Sequence, residues 1–459
     1  MKRRKIIVII VLFVILSSLT VAIWYLWLAF PIIRGYGAKN LCSAVYLQHR
    51  NPVDVVKEDL GDFPVSLGTY TVNVSDSSVT GSVWGFAKKK AIYRKGLGAT
   101  LINDLSESEI RAEHFAIPLQ PSLNRDTIAW PLGDKLPGTI SSAVDTALMD
   151  IALKNIFNDT LDNKPSVTRA VLVLYDGQIA AEKYAPGFDK NTVMLGWSMS
   201  NSITAALIGI LVKRGKLNVN APAPVPEWAD NEKRKITLKN LLQQTTGIDF
   251  REVYSGPSEA TNMLFKKGDM AAFAANLPLD REPGTKFRYS SGNSNILSRI
   301  IRQTVGENNY ASFPYTELFY KTGMYNTVLE PDASGTFIGS SYSYATARDF
   351  ARFGLLYLNG GKFNGEQILP ENWMNESGQP PAENELKNYG YQFWLNGWDK
   401  NDKTKREFPD VPVDLFYADG YGGQFIYIIP SKKLVVVRLG LHKIRENKFL
   451  KEVIAAIHQ

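Results

Sequence analysis

The sequence predicts an α+β fold: one antiparallel sheet flanked by helices plus an all-helical subdomain, preceded by a transmembrane helix and a small strand-rich extension. Three observations predict it. Strand-like runs lie at both ends of the main segment, near 169–184 and 415–439, with mostly helical and loop-like sequence between them. A long uncharged run follows a basic N-terminus. The stretch after that run alternates polar and apolar residues around a turn cluster.

The elements follow in chain order. Met1 to Lys5 is basic, and Ile6 to Phe30 carries no charge. That run is long enough to cross a hydrocarbon core of roughly 30 Å at about 1.5 Å per residue. Trp24, Tyr25 and Trp27 cluster near its far end, where an aromatic belt would lie. We read residues 6–30 as a retained single-pass anchor with a cytoplasmic N-terminus, so that the rest of the chain is exported. The competing reading is a cleavable signal peptide with Ala22 near the cut. It fits less well, because the apolar run continues to Phe30.

Residues 34–135 read as the strand-rich extension. Gly68 to Val74 alternates, Asp76 to Ser78 is a turn, and Val79 to Trp84 is a partner strand. Pro118, Pro121, Pro131 and Pro137 punctuate its exit. The main domain spans 136–459. It opens with helical spacing over Ser141–Phe157 and continues into a hairpin, two strand-like runs around Asp176-Gly177. A helix is predicted from Ser198 to about Arg214, and the helical subdomain covers roughly 205–360. Strands follow at Leu415–Ala418, Phe425–Ile429 and Leu434–Leu439, and a final helix runs from Glu446 to His458.

Composition narrows the function. Apolar residues make up 45% and charged residues 21% of the 459, which suits packed domains rather than disorder. The net charge of +7 is spread out, with no interleaving of basic and aromatic residues, so a nucleic-acid partner is not expected. Cys42 stands alone, which excludes an intrachain disulfide. No paired histidine or cysteine spacing points to a metal, and no pattern calls for a cofactor. The four histidines, His49, His114, His442 and His458, offer no Gly-x-Ser-x-Gly elbow around Ser198 for a Ser-His-Asp triad. The Tyr342/Tyr344 and Tyr389/Tyr391 pairs read as core and cleft wall. Oligomeric state is not legible.

Three short segments carry the chemistry. Gly196 to Thr204 opens a helix with Ser198 at its start, where a serine is also an ordinary N-cap. Tyr289-Ser290-Ser291 follows the run from Glu282 to Arg288, and Tyr421-Gly422-Gly423 leads into a strand at Gln424. Lys235 to Ile248 lies between the first two. In order and spacing these segments resemble the three motifs of the penicillin-recognising serine hydrolases over about 136–459. The group around 6-aminohexanoate-dimer hydrolase looks closest, beside class C β-lactamases, esterases and D-amino peptidases. The resemblance implies a β-lactamase/transpeptidase-like fold and acyl transfer on an amide or ester through a Ser198 acyl-enzyme. It implies Tyr289 as acid/base, and Ser291, Tyr421, Gly422, Gly423 and Gln424 as substrate-binding residues, with the Gln424 backbone N–H in the oxyanion hole. A serine hydroxyl is a weak nucleophile and needs such a base beside it.

One position departs from the pattern. The family's first motif is Ser-x-x-Lys, and residue 201 is Asn. No lysine in the chain has a serine three residues before it. Asn201 can hold a hydrogen bond but supplies neither a charge nor a base. Lys286, three residues before Tyr289, is a candidate substitute cation, against the plainer reading of a solvated loop lysine. Two functions therefore stay open: a serine hydrolase slowed by Asn201, and an inactive binding protein for peptide or cell-wall-like ligands.

Overall fold

A computed structural model describes residues 2–458. The chain forms two compact units. One comprises 1–95, 99–111 and 251–268; the other comprises 96–98, 112–250 and 269–459. The segment Arg251–Gly268, which the sequence places in the helical subdomain, belongs to the first unit.

In the first unit the opening helix α1 (Lys2–Tyr46) does not stop at Phe30 but continues through Pro31 to Tyr46. Beyond the apolar run it is buried nearly all round: Ile33, Ala38, Leu41, Cys42 and Ala44 are buried, and so are Lys39 and Ser43. This part of the helix rests on a four-stranded sheet in the order β1 (Gly68–Asn73), β2 (Ser78–Val83), β3 (Phe86–Arg94), β4 (Gly98–Leu101). The predicted β1–β2 pairing is present, Gly68 facing Val83. The extension therefore begins as helix, ahead of the strands expected from Gly68 on, and β3 adds a strand unassigned from sequence because Lys88, Lys89 and Lys90 interrupt its apolar pattern. Trp84 and Gly85 both have positive φ and form the two-residue β2–β3 turn, with Val83 opposite Phe86.

The second unit is built on a six-stranded antiparallel sheet. After helix α2 (Thr146–Phe157) come β5 (Thr168–Tyr175) and β6 (Gln178–Tyr184), joined by Asp176-Gly177, again at positive φ. The C-terminal strands are β7 (Trp394–Leu395), β8 (Phe416–Gly420), β9 (Gln424–Ile429) and β10 (Leu434–Gly440). The spatial order is β7-β8-β9-β10-β5-β6, so the two ends of the domain meet where β10 pairs with β5. Both faces are covered, which explains the nearly unbroken apolar runs in β9 and β10. Helices α2 and α6 (Glu446–Ala455) cover one face through Met149, Leu153, Phe449, Leu450 and Val453. Helix α5 (Ala347–Leu358) covers the other so closely that a Cβ on Gly354 would lie 2.5 Å from Val435. Each such fully buried side chain contributes about 1.5–3 kcal/mol relative to exposure. The helical part holds α3 (Met199–Lys213) against α4 (Ser291–Val305), the two helices that carry the first two motifs.

Candidate active site

Ser198 occupies the N-cap position of α3, yet its hydroxyl makes no capping hydrogen bond. The plain capping explanation for this serine therefore fails. The chain reaches it through Trp197 at φ +47°, a left-handed conformation that costs a bulky residue about 1–2 kcal/mol. Neighbours hold this turn. The Trp197 ring lies 5.6 Å from those of both Tyr342 and Tyr421. Gly196 N–H donates to the Ser343 carbonyl at 2.8 Å, and Ser343 N–H donates to the Ser200 hydroxyl at 2.9 Å.

One helical turn on, Asn201 is 2% exposed, and its Nδ2 donates to the Tyr289 hydroxyl at 2.7 Å. Its Oδ1 is buried and accepts no hydrogen bond. An unmet buried acceptor costs about 1–3 kcal/mol, so asparagine is a poor fit to its own pocket. Tyr289 is half-buried, stacked on Trp394 at 5.4 Å and edge-on to Tyr389 at 5.8 Å. The Tyr389/Tyr391 pair thus divides: Tyr389 walls the tyrosine, and Tyr391 packs on Trp373.

The turn after Tyr289 is braced by two buried amides that sequence reading assigned no role. Gln244 Oε1 accepts from Ser290 N–H at 3.1 Å and from Asn293 Nδ2 at 2.6 Å. Gln244 Nε2 donates to Gln392 Oε1 at 3.2 Å, and Ser294 Oγ donates to the same oxygen at 2.8 Å. Gln244 itself has φ +60°, a strained backbone that marks it as more than filler. The available signal was its place in the segment Lys235–Ile248. Ser291 is fully buried at the start of α4, so a direct substrate contact is not supported by its placement.

The third segment differs in detail from expectation. Tyr421, Gly422 and Gly423 form the turn between β8 and β9, with both glycines at positive φ and Gly423 N–H donating to the Gly420 carbonyl at 3.1 Å. The close approach to the serine segment belongs to Gly420, where a Cβ would lie 2.1 Å from the Gly196 carbonyl oxygen. Tyr421 is 57% exposed and meets Trp197 edge-on. Gln424 is buried beyond the turn. Its Oε1 accepts from Gly440 N–H at 3.0 Å, and its Nε2 donates to the Gly440 carbonyl at 2.5 Å. Gln424 is thus a clip to β10, and the end of β8 that meets the serine segment is Gly420, followed by Tyr421 against Trp197. Arg438 fastens the same turn from below, donating to the Gly423 carbonyl at 2.7 Å and the His442 carbonyl at 3.0 Å.

Charge near the site is scarce. Lys286 is exposed in its loop and sits near Glu385, so the solvated reading of this lysine holds. Burial pushes the Asp419 carboxyl, one residue before Gly420, up to about 7. Glu446 accepts from the Tyr427 hydroxyl at 2.8 Å. Burial, helped by Asp419, pushes it up to about 8. Among the described residues no group of three His, Cys, Asp or Glu side chains could hold a metal.

A profile of the β-lactamase family matches residues 153–447, from α2 to the start of α6. This chain belongs to the β-lactamase family. The match includes all three segments, those of Ser198, Tyr289 and Tyr421. A curated member, the 6-aminohexanoate-dimer hydrolase of Paenarthrobacter ureafaciens, is 25% identical over 298 residues, 59% of this chain and 72% of that protein. Two solved structures share the β-lactamase fold. A family VIII carboxylesterase superposes with a TM-score of 0.54 at 16% identity, covering 71% of this chain and 99% of its own. A penicillin-binding protein homologue from Caulobacter crescentus gives 0.53 at 15% identity, covering 71% and 100%.

Proposed function

We propose that this β-lactamase-family protein is an exported, membrane-anchored serine hydrolase that transfers an acyl group from an amide or ester to Ser198 and then to water. The observation that carries this reading is the uncapped Ser198 hydroxyl on a strained turn, one helical turn from an Asn201 hydrogen-bonded to Tyr289. The Ser198 oxygen attacks the acyl carbon while Tyr289 takes its proton and passes it to the leaving group. Water then reverses the path. The developing oxyanion is met by the Ser198 N–H and, because Gly420-Tyr421 rather than Gln424 reaches the serine segment, by the Tyr421 N–H. Asn201 gives Tyr289 one neutral hydrogen bond where a lysine would give a charged one. Charge-assisted bonds are roughly twice as strong, so the tyrosinate is less favoured and acylation is slow.

The binding-protein reading keeps one specific support. The Asn201 Oδ1 has no hydrogen-bond partner among the described residues, and Lys286, the candidate substitute cation, is exposed in its loop. A fluorophosphonate probe separates the two readings. We expect slow labelling, mapped by peptide mass to Ser198 and abolished in Ser198→Ala. Labelling that persists in Ser198→Ala rejects the assignment, and complete absence of labelling favours the binder.

Anchoring is supported by α1, which is long and apolar enough to cross a membrane, with its apolar window fully exposed. Ile6 to Trp27 spans about 33 Å at 1.5 Å per residue before burial against the sheet begins. The full chain should remain with membranes through an alkaline wash. A mature N-terminus near Ile23 would show a cleaved signal instead.

A further inference from the structure

Where α1 leaves its exposed apolar stretch, the first unit presents aromatic and cationic groups together. Phe30 packs edge-on to Trp84 at 5.1 Å, so the β2–β3 turn lies beside the end of the apolar run. Trp84 is 59% and Phe86 68% exposed at that turn. On another element of the same unit, a Cβ on Gly256 would lie 2.8 Å from the Tyr25 hydroxyl, which brings the loop carrying exposed Val253 and Tyr254 alongside the helix. Large apolar side chains on two separate loops flank one helix at the depth of its aromatic cluster. Aromatic rings favour that depth in a bilayer, where one edge is apolar and the other wet.

The cations lie just past it. Arg34 stands four residues beyond Phe30; a Cβ on Gly81, which pairs with Lys89 of β3, would lie 2.5 Å from the Arg34 carbonyl oxygen, and a Cβ on the next residue, Gly35, would lie 3.1 Å from Phe265, the neighbour of Lys266 in the helix Glu259–Lys266. Desolvation, and then Arg34, brings Lys89 down to about 8. Burial, then Lys267 and then Arg34 lower Lys266, and Asp104 is the acidic neighbour of Lys89. Three half-buried cations, Arg34, Lys89 and Lys266, thus come from three adjoining elements of the unit, where a phosphate could accept charge-assisted hydrogen bonds from all three. The position of the group, immediately outside an apolar helix, points to the phosphate of a lipid headgroup.

We infer that the first unit is a lipid-docking module, in which the Trp84–Phe86 turn enters the membrane interface beside the anchor and Arg34, Lys89 and Lys266 hold the phosphate of an anionic lipid. The inference rests on the proposed anchoring of α1. It assigns a role to a unit that lies outside the β-lactamase match.

The test uses the full chain in phosphatidylcholine vesicles with and without phosphatidylglycerol. Phe86→Cys is labelled with an environment-sensitive dye, the native thiol Cys42 being buried. The emission should be blue-shifted and quenched by lipids carrying a shallow nitroxide. Phosphatidylglycerol retained per chain after extraction from mixed vesicles should fall about threefold to fivefold in Lys89→Gln and again in Lys89→Gln/Lys266→Gln. Lys89→Arg should keep it. Aqueous emission in both vesicles, from a chain that still resists alkaline wash, overturns the docking while leaving the anchor standing. Unchanged phosphatidylglycerol retention in the double variant overturns the phosphate site. A chain released by alkaline wash overturns the anchoring itself.

Discussion

Replacing Asn201 by lysine is the most informative perturbation of this site. Residue 201 is buried, one turn past Ser198, with its side-chain nitrogen already 2.7 Å from the Tyr289 hydroxyl. A lysine there needs no new route to the tyrosine, only accommodation of a longer stem. Two terms oppose each other in stability. Burying an ammonium costs several kcal/mol before hydrogen bonds offset it. Removing Asn201 also removes an unmatched Oδ1, which returns about 1–3 kcal/mol. Lysine is moreover the better helix former by a few tenths of a kcal/mol. The variant should fold, at a net cost of about 1–3 kcal/mol. The rate term is larger. A cation beside a phenol lowers its pKa by about 1–3 units, and a restored general base is worth about 10²–10⁴-fold. We expect hydrolysis of nitrophenyl acetate or butyrate to rise at least about 10²-fold, equivalent to about 2.7 kcal/mol in the barrier. The gain should vanish in Ser198→Ala/Asn201→Lys and fall sharply in Tyr289→Phe/Asn201→Lys. A folded Asn201→Lys protein with no gain on several esters and amides would refute this reasoning.

Further predictions concern the supports of the site. Gln244→Ala strands the Ser290 N–H and the Asn293 amide, so it should lower stability by about 1–3 kcal/mol in denaturant titration and loosen Tyr289, reducing esterase rate in the Asn201→Lys background. Gly420→Ala drives a methyl group toward the Gly196 carbonyl; it should abolish fluorophosphonate labelling of Ser198 while leaving the far-ultraviolet circular dichroism unchanged. Glu446 and Asp419 have folded-state pKa values raised to about 8 and about 7, so the fold binds protons that the unfolded chain releases. Stability from this pair is therefore present at low pH and is lost as pH rises toward about 8. The melting temperature of the wild type should fall as pH rises from about 4.5 to about 8, and Glu446→Gln should flatten that slope.

Much of the fold was legible because its signals were local. Asp176-Gly177 between two strand-like runs announced the β5–β6 hairpin, and strand-like runs at both ends of the domain announced one antiparallel sheet assembled from both. The extent of α1 was not legible. Its continuation to Tyr46, through Pro31, depends on burial against the sheet and the rest of the first unit, which no local pattern encodes. Arg251–Gly268 joins the first unit through contacts with distant sequence, which no local pattern encodes. At the site, the order of motifs singled out Ser198 and Tyr289, and the structure has Tyr289 hydrogen-bonded to Asn201, one helical turn past Ser198. Registration within the third segment was not recoverable from sequence. Three glycines lie within four residues, and only the 2.1 Å approach to Gly196 distinguishes Gly420 from the turn glycines 422 and 423. The bracing amides Gln244 and Gln392 are 148 residues apart, so their pairing was beyond local reading.

The central claim is that Ser198 forms an acyl-enzyme. The direct measurement is the mass of the intact wild-type chain after acid quenching during turnover of nitrophenyl acetate. The account predicts a fraction of the chain heavier by one acetyl group, located by peptide mapping on Ser198, absent in Ser198→Ala and depleted on longer incubation. Ester turnover with no adduct, or with the acetyl group on a residue other than Ser198, would contradict it.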